Sequence, residues 1–287
     1  MPRFAPPRGR AATPPAMPLS SLIPPASPRR AGASPRTAAK VTALQRGIDV
    51  LNCFVPVNQP LSHTELSRLT GLPKATVTRL VATLLHAGLL RQDHRSDKYE
   101  LGPRVPSFSS AYFSTFDVRA FARPLMERLA LDTDLSVHLT VPADLDMLII
   151  EVCRPPTSML VTRLDIGGRI PMSTSAAGRA YLACVDPGTR EALLRRMEVT
   201  HGEHWGPIRK QVDVAIREAQ RIGYCRSMGE FYPDVHAIAS ALHTPRGDIV
   251  ALNCGGPSTL LSRQRIVNQV GPMLVDVTVR LGAVMGA

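Results

Sequence analysis

The chain has 287 residues, of which 44% are hydrophobic, and that length suits two domains with a core each. No apolar run approaches the roughly 20 residues that a membrane-spanning helix needs, which argues against a membrane segment. The formal net charge of +11 points to an anionic partner, nucleic acid first and an anionic membrane surface second, although no basic amphipathic helix supports the latter. The five cysteines (Cys53, Cys153, Cys184, Cys225 and Cys254) are scattered and never spaced C-x-x-C. That pattern fits a reducing cytoplasm and carries no zinc signature.

Residues 1–40 are rich in Pro, Ala, Ser and Arg and contain no acid. Such a segment cannot bury enough apolar surface to offset its ordering entropy, so a disordered tail is expected. Its prolines argue against the amphipathic helix of an organellar transit peptide, and it lacks the apolar stretch of a secretory signal. It either adds weak, sequence-independent DNA affinity or is dispensable.

Val41, Leu44, Ile48, Leu51 and Val55 recur at helical spacing and predict a helix packed behind the next two helices. Ser62 and Glu65 make an S-x-x-E capping box, so a second helix should begin near His63 with Leu66 and Leu69 facing a core. Gly71 sits where that helix must reverse. Pro73 suits the first turn of a third helix, in which Val77, Leu80, Val81, Leu84 and Leu85 form one stripe that Gly88 ends. Leu89 to Gln92 and Lys98 to Leu101 are short extended runs around a turn at residues 93–97.

The order helix, tight turn, helix, hairpin gives the polar side of the third helix its interest. Lys74, Thr76, Thr78 and Arg79 lie in its first two turns, away from the stripe. All four can donate to phosphates or base edges and none is acidic, as a recognition helix in the major groove requires. His94 and Arg95, at the hairpin tip, could reach the neighbouring backbone or minor groove as a wing. The competing reading is an ordinary helical hairpin with a solvated basic face.

Beyond Gly102 and Pro103, residues 104–115 carry few charges and place Phe108, Tyr112 and Phe113 in exposed-looking positions. Val118, Phe121, Leu125 and Leu129 predict an amphipathic helix, with Pro124 in an early turn. From Leu135 the period changes. Leu135 to Val141, Met147 to Cys153 and Met159 to Leu164 read as strands, with turns at Pro142 to Asp146 and at Asp165-Ile-Gly-Gly. Helices are expected at Ser175 to Ala183, Thr189 to Met197 and Ile208 to Ile222. Val235 to Leu242 and Asp248 to Cys254 read as strands, and Ser262 to Leu281 as a closing helix. Strands, then helices, then strands predict an antiparallel α+β domain.

LQRGIDVLNCF (44–54), LSRLTGLPKATVTRLVATLLHAGLL (66–90) and KYELG (98–102) resemble the winged helix-turn-helix domain of IclR-type transcriptional regulators. STSAAGRAYLA (173–183), the helix ending IGY (222–224), Glu230 and HAIASALHTPRGDIVALNCGGP (236–257) resemble the GAF-like effector-binding domain of the same family. The resemblance covers about Val41 to the C-terminus. It implies a DNA-binding domain at 41–102, a linker helix at 103–117 that pairs two protomers, and a GAF-like domain at 118–287, and it leaves out residues 1–40, whose composition alone predicts the disordered tail.

Within that second half, Ser173-Thr-Ser-Ala-Ala-Gly places small residues at a helix start. Ser175 is the expected N-cap, leaving the amides of Ala176 and Ala177 open to an anion; close packing of a helix on a sheet is the alternative. The resemblance implies that small carboxylate effectors bind main-chain amides at this loop. It also marks departures: Ser227 where the family often has Asp, Ala237 where some members have Cys, and Asn253 and Gly255 in place of two serines. Asn253 can both donate and accept.

Two further patterns carry less. His201, Glu203 and His204 form H-x-E-H, but with no fourth ligand in view a solvated loop is expected, and neither metal nor cofactor is assigned. Cys254-Gly-Gly could place a nucleophile in a tight turn, yet no base can be assigned to it and no catalytic residue is expected. The expectation is a cytoplasmic regulator that binds a double-stranded DNA operator and a small organic, carboxylate-bearing effector. It would act as a homodimer or a dimer of dimers, with no membrane partner. A constitutive architectural DNA binder, or an enzyme with an accessory DNA-binding domain, are the alternatives.

Overall fold

The computed structural model describes residues 42–55, 59–93, 95–156 and 164–286. The tail at residues 1–40, the wing residue His94 and all but the last residue of the expected strand Met159 to Leu164 lie outside them. The chain divides between Ser109 and Ser110 into two units.

The first unit contains α1 (Thr42–Asn52), α2 (His63–Thr70), α3 (Lys74–His86), β1 (Leu90–Gln92) and β2 (Tyr99–Leu101). α2 starts with the expected capping box: Ser62 Oγ accepts from the Glu65 amide, and the Glu65 carboxylate accepts from the Ser62 amide at 2.7 Å. Two orphan donors are thereby satisfied at once. Gly71 ends α2 at φ +68°, in the left-handed region that costs a residue without Cβ nothing. Pro73 stands at the N-cap of α3 rather than inside its first turn. Val77, Val81 and Leu84 of α3 pack with Leu66, Leu61, Leu90, Val50 and Phe54. The hairpin pairs Leu90 with Leu101 and Gln92 with Tyr99, and Leu61 bridges to Tyr99 from the other side.

Two faces differ from expectation in this unit. α1 packs on α3 as foreseen, but through Val50 and Phe54, with Leu44, Ile48 and Val55 exposed. The sequence holds two i,i+4 apolar rows, and the partner surface chooses between them. Leu69 of α2 also remains exposed. α4 (Val105–Phe113) comes next and buries none of its residues, Phe108 and Tyr112 included.

The second unit is built on a six-stranded antiparallel sheet in the order β5-β4-β3-β8-β7-β6. Its strands are β3 (Ser136–Ala143), β4 (Asp146–Cys153), β5 (Arg169–Pro171), β6 (Cys225–Met228), β7 (Val235–His243) and β8 (Ile249–Pro257). α5 (Val118–Thr133) and α10 (Gly271–Met285) cover one face, the latter preceded by α9 (Arg263–Arg265) and a π-helical turn at Ile266–Val270. α6 (Ala176–Cys184), α7 (Pro187–His201) and α8 (Trp205–Ile222) cover the other. This is the expected α+β, GAF-like arrangement.

α5 buries Val118, Ala122, Met126 and Ala130, while Phe121 is exposed. The small alanines let the helix approach β3 and β4 closely, which the phenyl ring would prevent. β5 and β6 were not foreseen. Cys254-Gly255-Gly256 is no tight turn: all three pair with β7, opposite Ile238, Ala237 and His236. Among the described residues no helix is long and apolar enough to cross a membrane.

Candidate functional site

The polar side of α3 is the first candidate. Lys74 and Arg79 are exposed, Thr76 is half-buried, and α3 contains no acid. Thr78 is exposed too, but its hydroxyl is engaged: it donates to the Lys74 carbonyl at 3.0 Å and lies 2.9 Å from His63 Nε2. It therefore ties α3 to α2. Arg95, on the wing turn, is exposed, and its amide donates to Asp93 Oδ1 at 3.2 Å.

The second candidate is a cavity of about 260 Å³ between the sheet and the start of α6. Its floor is set by register. Ser136 pairs with Gly255, Gly255 with Ala237, and Ala237 with Ser227, so small side chains form one row across four strands. The next row brings His138 opposite Asn253. Of the sequence-expected residues, Ser175, Ala176, Ser227, Ala237, Asn253 and Gly255 all line this cavity. Ala177 does not; it is fully buried in the packing of α6 on the sheet.

Ser175 caps α6 as expected. Its hydroxyl accepts from the Gly178 amide at 3.1 Å and donates to the Pro171 carbonyl at 2.6 Å. That cap occupies the third amide of the helix and leaves the first two, Ala176 and Ala177, without an intrahelical acceptor. Gly178 is required because a Cβ there would lie 2.1 Å from Met172 Cα. Ser227 is 4% exposed and donates to the Thr174 carbonyl at 2.8 Å, so it holds the loop before α6 as well as facing the cavity.

Three residues that sequence reasoning missed shape the site. Arg179, 2% exposed, donates from Nε to the Ser173 carbonyl at 3.2 Å, and from Nη1 to the Arg226 carbonyl at 2.9 Å and Glu230 at 3.0 Å. Nη2 donates to Gln211 at 3.2 Å. Burial opposes ionisation of Glu230, but the hydrogen bond and charge of Arg179 outweigh it and hold that carboxyl below its usual range. An arginine inside a helix of small apolar residues was the available signal. Arg154 lines the cavity and donates to the Leu164 carbonyl at 2.8 Å and Asp165 at 2.7 Å. His138 is 5% exposed, and burial, seconded by the charge of Arg154, pushes its pKa down to about 4. Neither had a local pattern to announce it. Leu135, Ile170, Phe231 and Val235 supply apolar wall, and Asp134 a carboxylate.

The remaining patterns resolve into packing. His201 lies 3.1 Å from Ser173 Oγ and stacks on Trp205 at 5.8 Å, while Glu203 and His204 are exposed. Among the described residues no group of three metal-ligating side chains comes together. Cys254 is fully buried, and burial pushes its thiol up to about 12, so a reactive thiolate is not available there.

Residues 43–94 match the IclR helix-turn-helix domain, and residues 110–278 match the bacterial transcriptional regulator IclR C-terminal domain. The HTH-type transcriptional regulator TsaQ1/TsaQ2 of Comamonas testosteroni is 32% identical over 250 residues, covering 86% of this chain and 89% of that protein. The transcriptional repressor IclR of Escherichia coli is 25% identical, covering 86% of this chain and 93% of its own length. Among solved structures, an IclR family transcriptional regulator from Brucella abortus aligns with a TM-score of 0.76 at 34% identity, over 89% of this chain and 96% of that one. An IclR homologue from Microbacterium hydrocarbonoxydans, solved with 4-hydroxybenzoate, aligns at 0.70 over 85% of this chain and 99% of that one. At 22% identity it speaks to the fold alone. With both halves matched in order, the chain belongs to the IclR family and is a DNA-binding transcriptional regulator.

Proposed function

We infer that residues 41–102 read a DNA operator through Lys74, Thr76 and Arg79, with Arg95 of the wing on the backbone. On this reading residues 103–117 link, and residues 118–287 bind a small organic carboxylate that favours one DNA-binding state over another. The cavity is the observation that carries the effector half, because six residues picked out from sequence line it. The first-turn amides of α6 carry partial positive charge, and Arg154, paired with Asp165, stands in the wall. A volume of about 260 Å³ exceeds the roughly 150 Å³ that accommodates benzene, so a ring-sized acid fits better than a two-carbon one. The protein acts in the cytoplasm as a regulator rather than an enzyme. A homodimer or dimer of dimers is supported by the open apolar residues of α1 and α4, and would present two recognition helices to a pseudo-palindromic operator.

Thermal-shift titration with benzoate and with benzamide tests this reading. The acid should raise Tm and the neutral amide should not. Ala176→Asp, which puts a like charge at the helix start, should abolish the response and leave binding to selected operator DNA intact. An equal rise with the amide would reduce the α6 start to a packing feature. No response to any small acid would favour the constitutive architectural binder.

A further inference from the structure

β6 is the last strand of its sheet, and only β7 pairs with it. A strand in that place presents a row of main-chain donors and acceptors to any other strand that approaches. In an antiparallel pair, alternate residues turn their amide and carbonyl toward the partner strand, and the residues between turn theirs away. The Met228 amide donates to the Glu230 carboxylate, so it points away from β7, and Arg226, two residues before it, points the same way. The Arg226 carbonyl accepts from Arg179 Nη1 at 2.9 Å. Nη1 also donates to Glu230 Oε1 at 3.0 Å, which joins the two caps. Guanidinium and carboxylate thus supply one donor and one acceptor on either side of Ser227, as one residue of a neighbouring parallel strand would. Alongside runs an open groove of about 320 Å³ whose lining includes Arg226, Met228, Glu230, Lys210 and Arg263. The edge therefore borders open space.

We propose that Arg179 and Glu230 act as a strand surrogate that keeps a second copy of this chain from pairing with β6. A second copy is the strand to exclude because two β6 edges brought together about a two-fold axis are antiparallel partners, each offering the row that the other lacks. An incoming strand in either sense needs the Arg226 carbonyl and the Met228 amide, and both are taken. The surrogate is itself held. Arg179 is 2% exposed, with Nε on the Ser173 carbonyl at 3.2 Å and Nη2 on Gln211 at 3.2 Å. Displacing Glu230 would leave that buried charge without its carboxylate, which is costly. The exposed cations Lys210 and Arg263 in the groove set like charge against a second copy. In a regulator that pairs through another surface, a self-complementary edge here would link the pairs into larger assemblies. None of this depends on what the cavity binds.

Hydrogen exchange and sedimentation of the full chain test the proposal. In the wild type the Met228 amide should exchange about tenfold or more slowly than the Arg226 amide, which faces the same way without a carboxylate on it. Equal rates, once each is corrected for its intrinsic value, would show that Glu230 does not close the edge, and the proposal would fall. Arg179→Met together with Glu230→Leu removes both caps and leaves no buried charge alone, as a single replacement would. In sedimentation velocity this protein should grow with concentration into species larger than those of the wild type. Adding Met228→Pro, which deletes the outward amide, should return the wild-type distribution. No growth beyond wild type, with the thermal transition retained, would overturn the proposal, and so would growth that Met228→Pro leaves in place. Should the double replacement fail to fold, the exchange comparison in the wild type decides.

Discussion

At the residue scale the cavity depends on polar side chains that are buried and fully engaged. Arg179 is the bulkiest of them, with four hydrogen-bond partners that join the loop before α6 to α8 and to the segment after β6. His138 has a measurable consequence. Its folded pKa of about 4 lies below the ordinary 6.5. Above pH 6.5 both folded and unfolded rings are neutral and stability is unaffected. As the pH falls from there toward 4, the unfolded chain takes up a proton that the folded one refuses, so stability is lost across that window. Between pH 7 and pH 5 the loss from this ring should be about 2 kcal/mol. Urea unfolding of the wild type and of His138→Gln at the two pH values isolates it, since the other titrating groups are common to both. Equal losses in the two proteins would show that the ring does not resist protonation. The sequence marks Arg179 only as an arginine among small apolar residues and gives no sign of His138. Arg179 and His138 gain their meaning from partners up to 115 positions away along the chain, and no local spacing encodes that.

At the element scale α3 and α6 show what short-range patterns carry. Both begin at positions readable from sequence, α3 at Pro73 and α6 at Ser175, because capping is a contest among neighbouring groups. α3 holds its apolar stripe inward and its basic residues outward, with Thr78 tied to His63. On the proposed docking, Arg79 touches a base edge and Lys74 a phosphate. Arg79→Ala should then cost ~1–3 kcal/mol on the operator and less on random DNA, whereas Lys74→Ala should weaken both alike. Fluorescence anisotropy at fixed salt separates the two. The same loss on both DNAs for Arg79→Ala would remove its base contact. The strands that escaped notice, β5 and β6, are the edges of the sheet and only 3 and 4 residues long. Segments that short have too few residues to establish an alternation, and they exist as strands because β4 and β7 lie beside them.

At the scale of the whole molecule, charge and division of labour set the expectations. Residues 1–40 hold seven of the 34 basic residues and none of the 23 acids, so they supply most of the net charge of +11. Removing residues 1–39 should therefore flatten the slope of log affinity against log salt, by about 0.9 for each phosphate that the tail neutralises, without changing the preferred operator. An unchanged slope would show that the tail makes no contact with DNA. The helix-turn-helix signature, the α+β pattern and the cavity positions Ser175 and Ala176 were legible because each rests on local rules of capping, period and turn chemistry, whereas Ser227, Ala237, Asn253 and Gly255 were placed by the family resemblance. Register, burial and partner choice were not. Which of two apolar rows α1 buries, whether Phe121 or Ala122 faces the sheet, and that Ala177 turns into packing while Ala176 lines the cavity are decided by surfaces from distant parts of the chain.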